Sequence, residues 1–255
     1  MSGPPATLRP PRGVVFDTDG VLLESAAVHA AAWKSAFDAC LAELAPDDGR
    51  PFDVDADYRR FVDGRSRYDG AEAFLKARGI RLSPGEPGDP PGCGTVWAVA
   101  ARKEAAFQAA LAARPVVAFE DAFAALAVLR SLHVPCAAVS ASRHARALIA
   151  AAGLSGGLAF VVDGEDAARL GLPGKPDPAL FLHAARLLGI HPGDAAVVED
   201  AIAGVRAART GAFGLVVGLD RTPDGHGASP LHAEGADLVV PDLTTLVRSV
   251  WRDRA

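Results

Sequence analysis

Two carboxylates stand close together where the sequence predicts the end of a buried strand. The apolar run 13–16 is followed by Asp17 and, after one threonine, by Asp19 and Gly20. Residues two apart in a strand share a face, so both carboxylates point into one small space if the turn keeps the alternation. Such crowding needs a cation, a shared proton or a reaction to offset the repulsion. On this segment alone, a solvated aspartate turn remains the alternative.

Composition indicates a globular chain and argues against several function classes. The 255 residues are 50% hydrophobic and 22% charged, enough for a sizeable core in one large domain or two smaller ones. A net charge of −5 without a basic stripe argues against nucleic-acid binding. No apolar run approaches the roughly 18–20 residues of a membrane span, and no signal peptide is evident. Cys40, Cys93 and Cys136 form no zinc pattern and fit a reducing compartment, so we expect a cytoplasmic protein.

Polar strand ends recur in the second half of the chain. Short apolar runs alternate there with helical segments, which predicts a parallel sheet covered on both faces. The runs are 135–139, 158–162, 195–198, 214–217 and 238–240, and the helical candidates between them include 144–152, 178–188 and 202–209. Each run is followed by polar residues, and in such sheets ligands bind at the carboxyl ends of the strands. The predicted strands therefore place chemistry-bearing side chains at one edge.

The segment between the first strand and this region has a different texture. From 25 to about 37, apolar and small residues recur at helical spacing. The whole of 25 to about 112 reads as mainly helical, most clearly at 69–76 and 95–111, with a glycine- and proline-rich connection at 83–94. We therefore predict an α/β fold interrupted by a helical insertion. The predicted divisions are a flexible tail at 1–12, a core at 13–24 and 115–255, and an all-helical cap at 25–114. The cap would lie over the carboxyl end of the first strand.

Four segments, in order, resemble the motifs of the haloacid dehalogenase superfamily of phosphotransferases. They are FDTDGV at 16–21, VSAS at 139–142, GKPDP at 174–178 and VVEDAIAG at 197–204. Each alone is a weak signal, but together they cover essentially the whole chain. The resemblance implies a Rossmann-like parallel-sheet core with an inserted helical cap, and phosphoryl transfer through an aspartyl phosphate.

The resemblance also implies roles for the core residues. Asp17 is the nucleophile, Asp19 the general acid and base, and Lys175 neutralises the nucleophile and the transferring phosphoryl group. Ser140 and backbone N–H groups, that of Ala141 among them, bind phosphoryl oxygens. The alternatives from local chemistry are that Ser140 caps the next helix and that Lys175 is an ordinary loop lysine.

A magnesium ion is the implied cofactor. The resemblance makes Asp17 and Asp200 its side-chain ligands and Asp19 a main-chain ligand, and it places Glu199 behind a bound water. Mg²⁺ prefers oxygen ligands and often takes only one or two carboxylates besides phosphate and water. The alternative for Glu199 and Asp200 is a favourable start to the next helix at its positive end.

The insertion resembles the helical cap of β-phosphoglucomutase-like proteins, through segments 24–33, 63–67 and 102–103. This implies that His29 lies at the hinge near Asp19 and that Arg67 and Lys103 face the distal phosphate or sugar of the substrate. The alternatives are a packed histidine, a surface arginine and a solvated helix lysine. The sequence departs from the mutases at Glu104, where an asparagine is common, and the loop 118–121 lacks their Pro-Gly.

These observations predict Mg²⁺-dependent phosphoryl transfer on a small phosphorylated metabolite, a sugar phosphate, by a monomer that binds neither nucleic acid nor membrane. Hydrolysis is the first expectation and a β-phosphoglucomutase-like mutase the alternative; a non-catalytic binding module is a remote third.

The motifs of other phosphate-binding proteins are not found in the sequence. It has no G-x-x-x-x-G-K-[ST] loop. It also has no strand followed by G-x-G-x-x-G, and no G-x-S-x-G.

Overall fold

The computed structural model describes residues 10–46, 50–222 and 225–251. Within these ranges six strands form one parallel sheet in the order β3-β2-β1-β4-β5-β6. The strands are β1 Gly13–Asp17, β2 Cys136–Val139, β3 Phe160–Val162, β4 Ala195–Glu199, β5 Leu215–Leu219 and β6 Leu238–Val240. The sheet and its position in the chain confirm the predicted α/β fold, and they place β1 at the centre.

Helices cover both faces of the sheet. Successive strand residues point to opposite faces, and both faces carry buried apolar side chains. Val14 and Phe16 belong to one hydrophobic cluster, while Val15 between them belongs to the other. The helices that follow the cap are α4 Glu120–Ser131, α5 Ala145–Ala151, α6 Gly164–Leu170, α7 Ala179–Leu187, α8 Ile202–Thr210, α9 Ala228–Ala233 and α10 Leu243–Trp251. The four residues 14–17 are all buried, as a central parallel strand requires.

The insertion is helical, as predicted, and has a hydrophobic cluster of its own. Its main helices are α1 Ala26–Leu44, α2 Arg67–Ala77 and α3 Val96–Ala113. Aromatic rings fill the space between them, with Phe37 in contact with Trp33, Phe52 and Phe74. Thr95 begins α3 by accepting a hydrogen bond from the Ala98 N–H. The cap thus rests on packing that is separate from the sheet.

The structure bears on two further expectations, the flexible tail at 1–12 and the reduced cysteines. Of the predicted tail, residues 1–9 lie outside the described residues, and Arg12 already donates its N–H to the Asp194 carbonyl at 2.7 Å. The cysteines differ from the expected reduced state, since Cys40 and Cys93 form a disulfide inside the cap while Cys136 is free and buried. Across the described ranges, no helix combines the length and apolar character needed to cross a membrane.

Candidate active site

The parallel register brings three predicted strand ends together. Asp17 ends β1 opposite Val139 of β2, and Phe16 lies opposite Val198 of β4. Ser140 and Glu199 therefore flank Asp17 on either side, as the positions of the motifs at strand ends predicted. Thr18 fixes the turn after β1 by donating its hydroxyl to the Val139 carbonyl at 3.0 Å.

Lys175 lies in the interior between two of these carboxylates. It is 1% exposed, and its Nζ donates to Asp17 Oδ1 and, at 2.9 Å, to Glu199 Oε2. Burial alone would lower the pKa of Lys175, but the two carboxylates outweigh it and hold the pKa above its ordinary value. Burial raises the pKa of Asp17, and Glu199 adds to that effect while Lys175 opposes it. The lysine is therefore a fixed positive charge at the nucleophile.

The carboxylates around Asp17 form a group that could hold a cation. Oxygens of Asp17, Glu199 and Asp200 lie within 4.8 Å of one another, and one of the two Asp200 oxygens is buried without a hydrogen-bond donor. Three carboxylates against one ammonium leave an excess that a divalent ion would balance. Gly20 adopts φ 80°, and a Cβ there would collide with the Asp200 carboxylate, so the turn keeps this space clear. The donor set is made of oxygens, as hard cations prefer.

Asp19 lies beside this cluster but has partners of its own. It accepts the hydroxyl protons of Ser25 and Ser140, the latter at 2.8 Å, and His29 Nε2 lies 3.3 Å from its Oδ1. Burial alone would raise the pKa of Asp19, but His29 and the two hydroxyls outweigh it and hold the pKa well below its usual range. Ser140, expected to bind phosphoryl oxygens, thus contacts Asp19 in this structure.

His29 and Lys103 form a buried pair behind Asp19. Lys103 Nζ lies 2.9 Å from His29 Nδ1 and 4.4 Å from the Phe107 ring centre, and Lys103 is 4% exposed. An ammonium can only donate, so Nδ1 is the acceptor and Nε2 carries the proton that faces Asp19. Burial, followed by the charge of Lys103, lowers the pKa of His29, while burial lowers that of Lys103 to about 8. Lys103 therefore contacts His29 and also lines the cavity between the cap and the strand ends.

Arg67 also lines the cavity, but it is paired with a cap carboxylate. Its Nη1 lies 2.9 Å from Glu104 Oε2, while Glu104 Oε1 accepts from His144, a residue of the core that follows β2. Glu104 is thus the charged link between cap and core at this place. Arg67 was predicted from the sequence, whereas the Glu104–His144 contact was not, because no local signal pairs residues 40 apart.

The cavity between the cap and the strand ends has a volume of about 770 Å³ and contains most of the predicted residues. Those that line it are Asp17, Asp19, His29, Arg67, Lys103, Ala141, Lys175 and Asp200. Ser140 and Glu199 reach it through their contacts with Asp19 and Lys175. Sequence reasoning missed Tyr58 and Asp63, which line the cavity from the cap; burial and then the charge of Asp17 raise the pKa of Asp63 to about 7.

Comparisons with known proteins agree with this arrangement. The family model described as haloacid dehalogenase-like hydrolase matches residues 11–211. The chain is 41% identical to a β-phosphoglucomutase of Mycobacterium bovis over 239 residues, which is 92% of this chain and 91% of that protein. It is 30% identical to a solved haloacid dehalogenase family hydrolase of Deinococcus radiodurans with bound phosphate and sodium, with a TM-score of 0.65 and coverage of 95% and 96%.

A solved β-phosphoglucomutase of Clostridium difficile supports the fold alone, at 21% identity. Its TM-score is 0.71, and the match covers 95% of this chain and 96% of that one. The fold of this chain thus recurs over nearly the whole of that protein. The chain belongs to the haloacid dehalogenase-like hydrolase family, and it is an enzyme of the phosphatase or phosphotransferase type.

Proposed function

We propose that this chain is a sugar-phosphate mutase that works through an aspartyl phosphate on Asp17. The observation that carries the chemistry is the placement of the buried Asp17 against Lys175, with Asp19 beside it and open to the same cavity. A carboxylate that attacks a phosphate needs positive charge at the point of attack, and a fixed lysine provides it. A second carboxylate close by is what proton transfer requires.

The reaction needs two linked steps. A carboxylate oxygen of Asp17 forms a bond to phosphorus as the bond from phosphorus to the sugar oxygen breaks, and Asp19 gives that oxygen a proton. Asp19 then takes the proton of an acceptor hydroxyl, whose oxygen attacks the phosphoryl group and frees Asp17. The lowered pKa of Asp19 favours its ionised form, which suits the second step. The charge of an entering phosphate raises the pKa of a nearby carboxylate and so favours the protonated form needed in the first.

Mg²⁺ is the proposed cofactor, held by Asp17 and Asp200 with Glu199 close by. It would supply positive charge to the phosphoryl oxygens during transfer. The support is the oxygen donor set with its excess negative charge and the buried Asp200 oxygen without a donor. Lys175 meanwhile orients Asp17 through its own hydrogen bond.

The choice of acceptor rests on the relatives and on the cap. Proteins 41% identical over most of this chain are named β-phosphoglucomutase, which favours return of the phosphoryl group to a sugar. Asp17 is 5% exposed and lies beneath the cap, so a sugar that fills the cavity would keep water away from the intermediate. We therefore place the mutase before hydrolysis, whereas the sequence alone favoured hydrolysis.

Hydrolysis remains the second candidate because of one observation. Glu104 pairs with Arg67 and offsets the positive charge that Arg67 would otherwise offer to a second phosphate of the substrate. A mutase must bind a bisphosphate during its cycle, whereas a phosphatase need not. The same cavity would then deliver the phosphoryl group to water when the cap opens.

One assay separates these outcomes. The purified chain with Mg²⁺ is given glucose 1-phosphate and a trace of glucose 1,6-bisphosphate, and both glucose 6-phosphate and free phosphate are measured. Glucose 6-phosphate as the main product supports the mutase, and phosphate alone supports the phosphatase. Asp17→Asn should abolish either activity, while Asp38→Asn, which changes a cap carboxylate outside the cavity, should not. The proposal is excluded if the chain acts on no sugar phosphate, or if its activity survives Asp17→Asn.

A further inference from the structure

The two segments that join the cap to the core lie side by side. The first linker, 20–25, pairs with the second, 114–119, through an isolated bridge between Leu23 and Ala118. The Glu24 N–H donates to the Val117 carbonyl at 2.9 Å, which continues the same pairing. The first linker begins immediately after Asp19. A contact that holds the two paired linkers therefore also holds the turn that carries Asp19.

Arg221, just beyond β5, contacts both linkers. Its Nε donates to the Gly20 carbonyl at 3.1 Å and its Nη2 to the Val21 carbonyl at 3.0 Å. Its guanidinium carbon lies 3.7 Å from the ring centre of Phe119 in the second linker. Asp121 at the start of α4 accepts from Nη1 and Nη2, both at 3.0 Å. All three nitrogens of the guanidinium are therefore engaged in a planar arrangement that lysine cannot reproduce.

The core holds this arginine in place from two directions. Asp121 also accepts the Leu243 N–H at 2.7 Å, which ties it to the start of α10. Asp220 accepts the N–H and hydroxyl of Thr222 at 3.1 and 2.6 Å, and this closes a local turn around Arg221. Arg221 is therefore attached to the core and reaches out to both linkers.

We propose that Arg221, oriented by Asp121, is a positioning residue that fixes the turn carrying Asp19 and the base of the cap linkers. The catalytic part of this inference rests on the proposed function; the structural part does not. Gly20 is the residue next to Asp19, and its carbonyl is one of the two that Arg221 binds. The hydrogen bonds from Arg221 to the Gly20 and Val21 carbonyls act as a clamp on this turn. Loss of this clamp should misplace Asp19 more than Asp17, because Asp17 is held inside the sheet and by Lys175.

Two phosphoryl donors distinguish positioning from a general loss of structure. A sugar leaves as an alkoxide that needs the proton of Asp19, whereas acetyl phosphate releases acetate, which does not. The rate of phosphoenzyme formation on Asp17 is measured in single turnovers with each donor. We expect Arg221→Met to slow the sugar phosphate by about 10- to 100-fold, the scale of a small misplacement, and acetyl phosphate by less than about 3-fold. Arg221→Lys should be intermediate.

The matched control is Arg206→Met. Arg206 makes a bidentate pair with Glu234, both contacts at 2.8 Å, but it touches neither linker, so its variant should change neither rate. Equal slowing of both donors by Arg221→Met, or no slowing of either, overturns the positioning role.

Amide hydrogen exchange tests the clamp without any assay of activity. Exchange of the amides in 20–25 should be roughly 10-fold faster in Arg221→Met than in the wild type or in Arg206→Met. Unchanged exchange there refutes the clamp even in an active enzyme. If the wild type is phosphorylated by acetyl phosphate but by no sugar phosphate, the proposed function fails, and the exchange result still decides the clamp.

Discussion

Glu104 offers the sharpest test of how the cap is held over the core. We predict that Glu104→Gln lowers the free energy of unfolding and that the loss depends on pH. The substitution keeps the shape and hydrogen-bonding capacity of the side chain but removes its charge. Arg67 in the cap and His144 in the core both contact this carboxylate, so the change removes one electrostatic link between them.

The magnitude follows from the pKa of Glu104. Burial alone would raise this pKa, but His144, Lys103 and Arg67 outweigh it and lower it from 4.5 to about 2. At 1.36 kcal/mol per pKa unit the difference corresponds to roughly 3 kcal/mol. The side chain is 18% exposed and its partners touch solvent, so screening reduces the expected loss to about 1–2 kcal/mol.

The sign with pH is fixed by the same values. A carboxylate whose pKa is lower in the folded than in the unfolded state contributes stability above its unfolded pKa, and this is lost as the pH falls toward the folded pKa. Urea unfolding should therefore show the largest difference between wild type and Glu104→Gln near pH 7, and a shrinking one below about 4.5. Glu72→Gln, at an exposed glutamate of the same cavity, should change stability by less than about 0.5 kcal/mol. A difference that is constant from pH 7 to pH 3.5 would refute the reasoning.

Three further predictions concern other parts of the chain. Lys103→Met removes a charge that helps to lower the pKa of His29, so the NMR titration of the His29 ring should move to higher pH; a lower midpoint contradicts the pairing. Asp200→Asn should weaken Mg²⁺ binding by at least about 10-fold in calorimetry, since even residues that only support metal ligands contribute that much, and chelation should abolish wild-type activity until Mg²⁺ is restored. Replacing Cys40 and Cys93 with serine should cost about 2–4 kcal/mol of stability under oxidising conditions, while an identical wild-type mass with and without reductant would exclude the disulfide.

The sheet was predictable because its strands are short apolar runs with polar ends. The run predicted at 195–198 is a strand that extends to Glu199, because Lys175 gives that carboxylate a buried partner. The helix predicted from 25 to about 37 continues to Leu44, because Cys40 and Leu41 extend its buried face beyond Phe37. Local pattern thus located the elements and erred mainly at ends that tertiary contacts decide.

The site was predictable where a motif carries the chemistry, and not where distant residues meet. The motifs located Asp17, Asp19 and Lys175. The two aspartates lie at the carboxyl end of β1, and Lys175 reaches Asp17 from the loop between α6 and α7. No periodicity links Glu104 to His144, or Cys40 to Cys93, because these pairs depend on how the cap helices pack. The sequence assigned Ser140 to phosphate binding, with a helix cap as the alternative, whereas its hydroxyl here donates to Asp19.

Glu104 also bears on which molecule receives the phosphoryl group. A bisphosphate that bridges the cavity must place one phosphate near Asp17 and the other near the cap, where Arg67 is one of several cations that line the cavity. Arg67 can bind that phosphate fully only by giving up Glu104, and Glu104 would then keep only His144 and the buried Lys103 nearby. Each cycle of a mutase would break and remake this ion pair, whereas a phosphatase could leave it intact. Glu104→Gln should therefore strengthen bisphosphate binding and raise the ratio of isomerisation to hydrolysis, and a fall in that ratio would mean that Glu104 serves the sugar instead.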